Sequence, residues 1–229
     1  MQLEPFIFHR TGTLIGAREH SPTNATLDAV NRFALRPLDH SEFQVFSLDL
    51  CHNQVDRHFS RFPEEELNRI NAMVPGRPLM ERHDLRGTLP RGTFFRSHLH
   101  NAGDVTAVRP DVYVLRTKDN EDFILNIEGG VYRETSIGFS FRLPECSICG
   151  KDLRTCDHIP GRSYGDAQCH YVMRDVIEVI EGSVVPAGSQ GTRFVSQTRA
   201  LTLSEALDAG RKHFHTPIVI NSRAHWSDE

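Results

Sequence analysis

The sequence predicts an α+β fold, in which a barrel-like, mostly antiparallel β-sheet core is flanked by helices and carries a small Cys/His metal-knuckle insertion. Three observations predict this fold. Segments with strand-like patterns recur along the chain, and a few segments between them carry apolar residues at helical spacing. Four of the five cysteines are clustered between two predicted strands. With 229 residues and 38% hydrophobic content, the chain can bury one core.

The predicted strands either alternate apolar and polar residues or are rich in β-branched residues. They are residues 42–50, 91–99, 111–117, 133–143 and 171–186. The second and third of these flank a hairpin turn that we place at residues 103–111.

The predicted helices carry recognisable end signals. Residues 62–73 begin with Pro and three acids, which suit a helix N-terminus, and residues 120–130 end in Gly-Gly. Residues 202–214 begin with a Thr cap followed by Glu205. We therefore expect one main domain over residues 1–197, with an insertion at about 144–170, and a C-terminal helix and tail over residues 198–229.

The charge and hydropathy of the chain argue against two kinds of partner. The net charge is −4 and the isoelectric point is about 6.3, so no global basic field attracts nucleic acid. No apolar run approaches the length of a membrane span, so we expect no membrane partner.

The insertion, here called the cysteine loop (residues 144–170), has the residues of a metal site. Cys146 and Cys149 form a CxxC pair followed by Gly150, a pattern typical of a metal knuckle. The predicted ligands are Cys146, Cys149, Cys156 and His158, with Cys169 as an alternative fourth ligand. Four soft ligands close a tetrahedral zinc shell and leave no position for water, so the zinc is expected to be structural. Reduced buried cysteines, or a disulfide, are the alternative.

Ser, His and carboxylate residues on the flanking segments suggest acyl transfer. His83 lies in "ERHD", Ser136 in "ETSIGFSF" and Glu181 in an E-G-S pattern. A serine hydroxyl becomes a strong nucleophile when a base takes its proton and a third group orients that base. Taken singly, each such residue is more often structural than catalytic.

Other residues compete for two of these roles. Glu178 and Asp175 are alternative carboxylates, and His58, close to Asp56, is an alternative base. Strand alternation places Asp175, Val179 and Glu181 on one face and Glu178 on the other, so only one face can approach His83.

Taken together, these segments resemble the prohead (procapsid) maturation proteases of tailed bacteriophages, whose fold is related to that of the herpesvirus assemblins. The resemblance runs from about residue 43 to residue 194. It includes "DRHFSRFPEEELNRINAMVPGRPLMERHD", with an acidic residue, a helix, a GxP turn and a histidine, and also "TSIGF" and "EGSVVPAGSQG". The cysteine loop departs from the simplest family pattern, because it separates the nucleophile strand from the carboxylate strand.

The resemblance implies a serine endopeptidase with Ser136 as nucleophile and His83 as general base, and Glu181 is the best match for the third residue. It implies that the substrates are scaffold protein, major capsid protein and the protease itself. It also implies self-association as a dimer, a location in the host cytoplasm inside the assembling procapsid, and no catalytic cofactor.

A protein without protease activity is the alternative: a zinc-knuckle binding module or a structural capsid-assembly protein. A binding module of this kind would carry basic and aromatic residues around its knuckle. The charges here are instead balanced, with Lys151, Arg154 and Arg162 against Glu145, Asp152 and Asp157. A silent structural protein would lack the nucleophile or the base, and both are present.

Overall fold

A computed structural model of the chain describes residues 23–195. The helices are α1 (Asn24–Asn31), α2 (Glu64–Met73) and α3 (Lys118–Glu128), with a 3₁₀ turn at Leu153–Thr155. The strands are β1 (Phe43–Ser47), β2 (Cys51–His52), β3 (Ser60–Arg61), β4 (Pro78–Glu81), β5 (Gly92–Ala102), β6 (Val105–Leu115), β7 (Glu134–Cys146), β8 (Ser163–Tyr164), β9 (Ala167–Gln168) and β10 (Tyr171–Val185). The predicted C-terminal helix and tail at 198–229 lie outside the described residues.

Eight of the described strands form one mixed sheet in the order β1-β6-β5-β4-β10-β3, with β2 beside β6 and β7 beside β10. Most pairs are antiparallel, while β3 and β4 run parallel to β10. The α+β class and the mostly antiparallel sheet are thus confirmed. Over residues 23–195 the sheet is not closed into a barrel.

The two faces of the sheet are covered by different helices. Phe94 and Phe95 are consecutive on β5, so their side chains lie on opposite faces. Phe94 belongs to the larger core, which contains apolar residues of α2 and α3. Phe95 belongs to a smaller core with Val30 of α1 and Phe43 of β1. The centre of the sheet is therefore packed on both faces.

Strand β10 is long and irregular. Its pairing with β7 shifts register twice, between Val176 and Glu178 and again between Val179 and Glu181. Near the first shift, the buried Glu66 of α2 accepts hydrogen bonds from the N–H groups of Asp175 (2.9 Å) and Val176 (3.0 Å). A β-bulge changes which residues face which side of a sheet. The second shift therefore decides the direction of the Glu181 side chain.

Within the described part of the chain, no helix is long and apolar enough to cross a lipid bilayer.

Candidate active site and metal centre

Three neighbouring strands bring the predicted catalytic residues together. Strand β10 is central and carries Glu181. On one side β7 carries Ser136, and on the other side β4 ends at Glu81, two residues before His83. The predicted nucleophile, base and carboxylate therefore come from adjacent strands of one sheet, although they are far apart in sequence.

His83 sits on an unusual turn of the backbone. Both Arg82 (φ 58°) and His83 (φ 57°) adopt the left-handed conformation, which costs a non-glycine residue about 1–3 kcal/mol. The turn is fastened to β10, since the Arg82 N–H donates to Val184 O (2.9 Å) and the His83 N–H donates to Ser183 Oγ (3.0 Å). Two strained residues in succession, held by the neighbouring strand, are typical of a functional position.

The His83 ring contacts the carboxylate of Glu181. His83 Nδ1 lies 2.5 Å from Glu181 Oε1, and Glu181 is only 2% exposed. A carboxylate accepts hydrogen bonds, so Nδ1 is the ring nitrogen that donates in this contact. With about 38% of its side chain exposed, His83 presents a ring that solvent or a substrate can reach.

Gly138 makes room for this contact. A Cβ atom at Gly138 would lie 2.1 Å from Glu181 Oε1. Gly138 pairs with Glu181 across the β7–β10 pair, and Ser136 pairs with Ser183. Paired residues share a face, as do residues two apart on one strand. Ser136 therefore lies on the same face of the sheet as the Glu181 carboxylate.

Two serines face each other at this site, and they differ in burial. Ser183 is fully buried, whereas Ser136 is half-buried, so Ser136 is the serine that a substrate could reach. No hydrogen bond joins Ser136 Oγ to His83 among the contacts of residues 23–195.

The alternative candidates lie elsewhere. Asp175 forms ion pairs with Arg69 (3.2 Å) and Arg142 (3.1 Å). Glu178 is exposed and pairs with Ser140 of β7. The register of β10 corrects the simple alternation: Val179 pairs with Phe139, Glu181 with Gly138 and Glu178 with Ser140. Val179 therefore lies on the face opposite Glu181, and Glu178, expected on the other face, shares the face of Glu181.

His58, the alternative base, is exposed, and it contacts Asp56 through its backbone N–H rather than its ring. Of the candidate carboxylates, Glu181 is the one that contacts His83.

Sequence reasoning missed the part that Gly138 and Ser183 play in this arrangement. The signal was present: each lies two residues from a predicted site residue on the same strand, and so on the same face.

The four preferred metal ligands also lie together. One ligand atom from each of Cys146, Cys149, Cys156 and His158 is within 4.8 Å of the others. The chain reverses at Gly150, whose φ of +70° is left-handed and whose N–H donates to Cys146 O (2.9 Å). The Ile148 N–H approaches the Cys146 sulfur at 3.4 Å. This is the predicted knuckle.

The thiols of the cluster differ in acidity. Burial disfavours the Cys146 thiolate, but N–H donors from Cys149 and Ile148 outweigh it and lower the pKa of Cys146 below the ordinary thiol value. Burial raises the pKa of Cys156, and burial together with the neighbouring Cys146 raises the pKa of Cys169 to about 11. Metal ligation needs thiolates, so the lowered pKa of Cys146 favours its role as a ligand.

The residues of the cluster fit a structural zinc. All five cysteines lie within the described residues, and none forms a disulfide. His158 Nδ1 is buried and has no hydrogen-bond partner in residues 23–195, an arrangement that a metal bond would satisfy. Three sulfurs and one imidazole form a donor set that zinc favours. Cys169 is also buried and contacts Cys146, so it stays an alternative ligand.

The comparisons with known protein families, with curated proteins and with solved structures find no match for this chain.

Proposed function

We propose that this protein is a serine endopeptidase of the prohead-maturation type, with Ser136 as nucleophile, His83 as general base and Glu181 as the carboxylate that orients the base. The observation that carries the proposal is the His83 Nδ1 contact with the buried Glu181, on the sheet face that also holds Ser136. A base oriented by a carboxylate beside a reachable serine is the arrangement that acyl transfer requires.

The proposed chemistry uses the free nitrogen of His83. As the Ser136 oxygen attacks the scissile carbonyl carbon, His83 Nε2 takes its proton, and Glu181 stabilises the resulting imidazolium. His83 then gives the proton to the leaving amine, and an acyl-enzyme remains. Water, deprotonated by His83, releases the acyl group and restores Ser136. The low exposure of Glu181 strengthens its interaction with the imidazolium, because little solvent screens the pair.

The proposed substrates are the scaffold protein, the N-terminal arm of the major capsid protein and the protease itself, with cleavage inside the assembling procapsid in the host cytoplasm. These substrates, and a self-associating protease, come from the resemblance in three segments of the sequence. The Cys/His cluster has a structural part in this proposal, holding zinc through Cys146, Cys149, Cys156 and His158.

The proposal is tested by co-expressing the chain with its capsid and scaffold proteins and following their masses. Ser136→Ala should abolish processing and leave the fold intact. Ser140→Ala is the matched control, since it removes a hydroxyl from the same strand four residues away. Processing that continues with Ser136→Ala would overturn the assignment, as would equal loss with both variants.

A zinc-knuckle binding or structural protein without protease activity is the second candidate, and the Cys/His cluster is the observation that favours it. It predicts that capsid assembly depends on the cluster and is indifferent to Ser136→Ala. The same co-expression experiment, extended to Cys149→Ser, separates the two functions.

A further inference from the structure

The hydroxyl of Ser183 joins two parts of the candidate active site. It donates a hydrogen bond to Glu181 Oε2 (2.5 Å) and accepts one from the His83 backbone N–H (3.0 Å). The other carboxylate oxygen, Oε1, contacts the His83 ring. One serine therefore contacts both the group that orients the base and the backbone that carries the base.

We propose that Ser183 is a positioning residue of this site, whose hydroxyl fixes the Glu181 carboxylate and the left-handed His83 backbone at the same time. The proposal rests on the proposed function and deepens it, because the geometry that Ser183 fixes is the geometry that the proposed base requires.

The Glu181 carboxylate needs its contact with Ser183 because rotation of the carboxylate would break its contact with His83. Glu181 has three side-chain torsions, and its contact with His83 fixes only one of its two oxygens. The Ser183 hydroxyl fixes the other oxygen, so the plane of the carboxylate is set. On the facing strand, Gly138 has no Cβ that would occupy the same space.

The backbone of His83 needs the contact because the turn is strained. Arg82 and His83 both have positive φ values, so the turn is unfavourable unless the neighbouring strand holds it. Within residues 23–195, the His83 N–H is bonded to the Ser183 hydroxyl, not to a backbone carbonyl. A hydroxyl can donate and accept at once, which neither alanine nor valine can do.

Ser183 is fully buried, so it cannot itself meet a substrate. Its effect must pass through His83 and Glu181. Loss of its hydroxyl should therefore lower the rate of the chemical step and leave substrate binding almost unchanged. We expect a rate loss of about ten- to a hundredfold, the effect of one hydrogen bond to a charged group.

The test compares Ser183→Thr with Ser183→Val, which have nearly the same shape and differ in the hydroxyl; Ser183→Ala is a third variant. Ser60→Ala is the control for a buried serine elsewhere in the sheet.

The rate readout is modification of Ser136 by a fluorophosphonate probe, in which the serine oxygen displaces fluoride from phosphorus and His83 takes the proton. The structural readout is the low-field proton signal of His83 Nδ1–H, assigned by its loss in His83→Gln.

Ser183→Thr and Ser60→Ala should keep both the rate and the proton signal. Ser183→Val and Ser183→Ala should lose most of both while remaining folded by circular dichroism. The inference is overturned if Ser183→Val reacts as fast as the wild type and keeps the signal. It is equally overturned if Ser183→Val and Ser183→Ala unfold the chain while Ser183→Thr folds but reacts slowly with the probe. The hydroxyl would then serve folding alone.

Failure of the proposed function gives a different result. In that case the wild type itself is not modified at Ser136, and the proton signal alone decides whether Ser183 positions the His83–Glu181 contact.

Discussion

The two ends of the β7–β10 pair are stabilised in different ways. At one end, Glu181 and Ser183 are buried among packed strands, and helices cover the sheet. At the other end, β7 terminates at Cys146, and Cys169 lies two residues before β10 begins. Ser136 and Cys146 are ten residues apart on one strand, which corresponds to about 33 Å. A metal cluster at that distance can support the strands but cannot contact Ser136.

The difference shows what each end needs from the sequence. The Glu181 end needs a large core around it, because a buried carboxylate must have hydrogen-bond partners in fixed positions. The cysteine loop has little apolar material of its own, and two of its four preferred ligands are only half-buried while Cys149 is exposed. Metal bonds can provide the folding free energy that such a loop lacks. We therefore expect substitutions at the two ends to have separable effects.

The largest effect is expected from Glu181→Gln. A glutamine keeps the size of the side chain but can present its amide N–H to His83, which favours the wrong tautomer of the base. The rate of Ser136 modification should fall by about 10⁴-fold, while the melting temperature changes little. Glu178→Gln, at an exposed position three residues earlier on the same strand, is the control and should react normally. A Glu181→Gln rate within tenfold of the wild type would contradict the assigned role.

Removal of one metal ligand should affect the cysteine-loop end of the β7–β10 pair. The wild type is expected to hold about one zinc per chain, and Cys149→Ser should hold almost none, as measured by elemental analysis. Hydrogen exchange should then accelerate in the cysteine loop before it changes around Ser136. Cys51→Ala is the control, since Cys51 is buried outside the loop.

The fourth ligand can be identified by the same measurement. His158→Ala should lose the metal and Cys169→Ser should keep it, because His158 belongs to the compact four-residue cluster. The reverse result would assign the fourth position to Cys169.

A smaller effect is expected from Gly138→Ala. The added Cβ would lie 2.1 Å from Glu181 Oε1, so the carboxylate or the strand must move. A displacement of about 1 Å in such a site costs roughly a hundredfold in rate. Gly129→Ala is the matched control, since its nearest contact would be 3.1 Å away, at Leu125 O. Normal Ser136 modification in Gly138→Ala would show that the contact with Glu181 does not position the base.

Glu66→Gln is expected to have the smallest effect of these substitutions. Glu66 contacts β10 between the Glu181 end and the cysteine-loop end. The Glu66 carboxylate accepts N–H groups of Asp175 and Val176 at the first irregularity of β10. A glutamine is neutral and has one carbonyl oxygen, so one N–H loses its acceptor and the other keeps only an uncharged one. The free energy of unfolding in urea should fall by about 1–3 kcal/mol, with metal content unchanged. Exposed Glu64→Gln should be neutral, and equal effects of the two substitutions would contradict this role.

Local patterns predicted much of the fold and the Cys/His residues that lie together in the cysteine loop. The Pro and acidic residues at the start of α2, and Gly129 at the end of α3, correctly marked helix ends. The CxxCG pattern predicted a knuckle, which the left-handed Gly150 forms. These features depend on neighbouring residues, so they can be read directly from the sequence.

Features that depend on strand register could not be read in this way. The predicted turn at residues 103–111 is in fact short, with β6 starting at Val105, because pairing with β5 continues through Pro110. The bulge before Glu181 changes the phase of β10, and alternation along one strand cannot reveal it. The open sheet seen over residues 23–195 likewise follows from long-range pairing rather than from any single segment.

The most direct test of the central claim is to treat the wild type and His83→Ala with a fluorophosphonate probe and locate the adduct by peptide mass spectrometry. The proposed triad predicts one adduct on Ser136 in the wild type and almost none in His83→Ala, because the serine loses its base. An absent adduct in the folded wild type, or equal labelling of Ser136 in both proteins, would contradict a serine protease built on His83, Ser136 and Glu181.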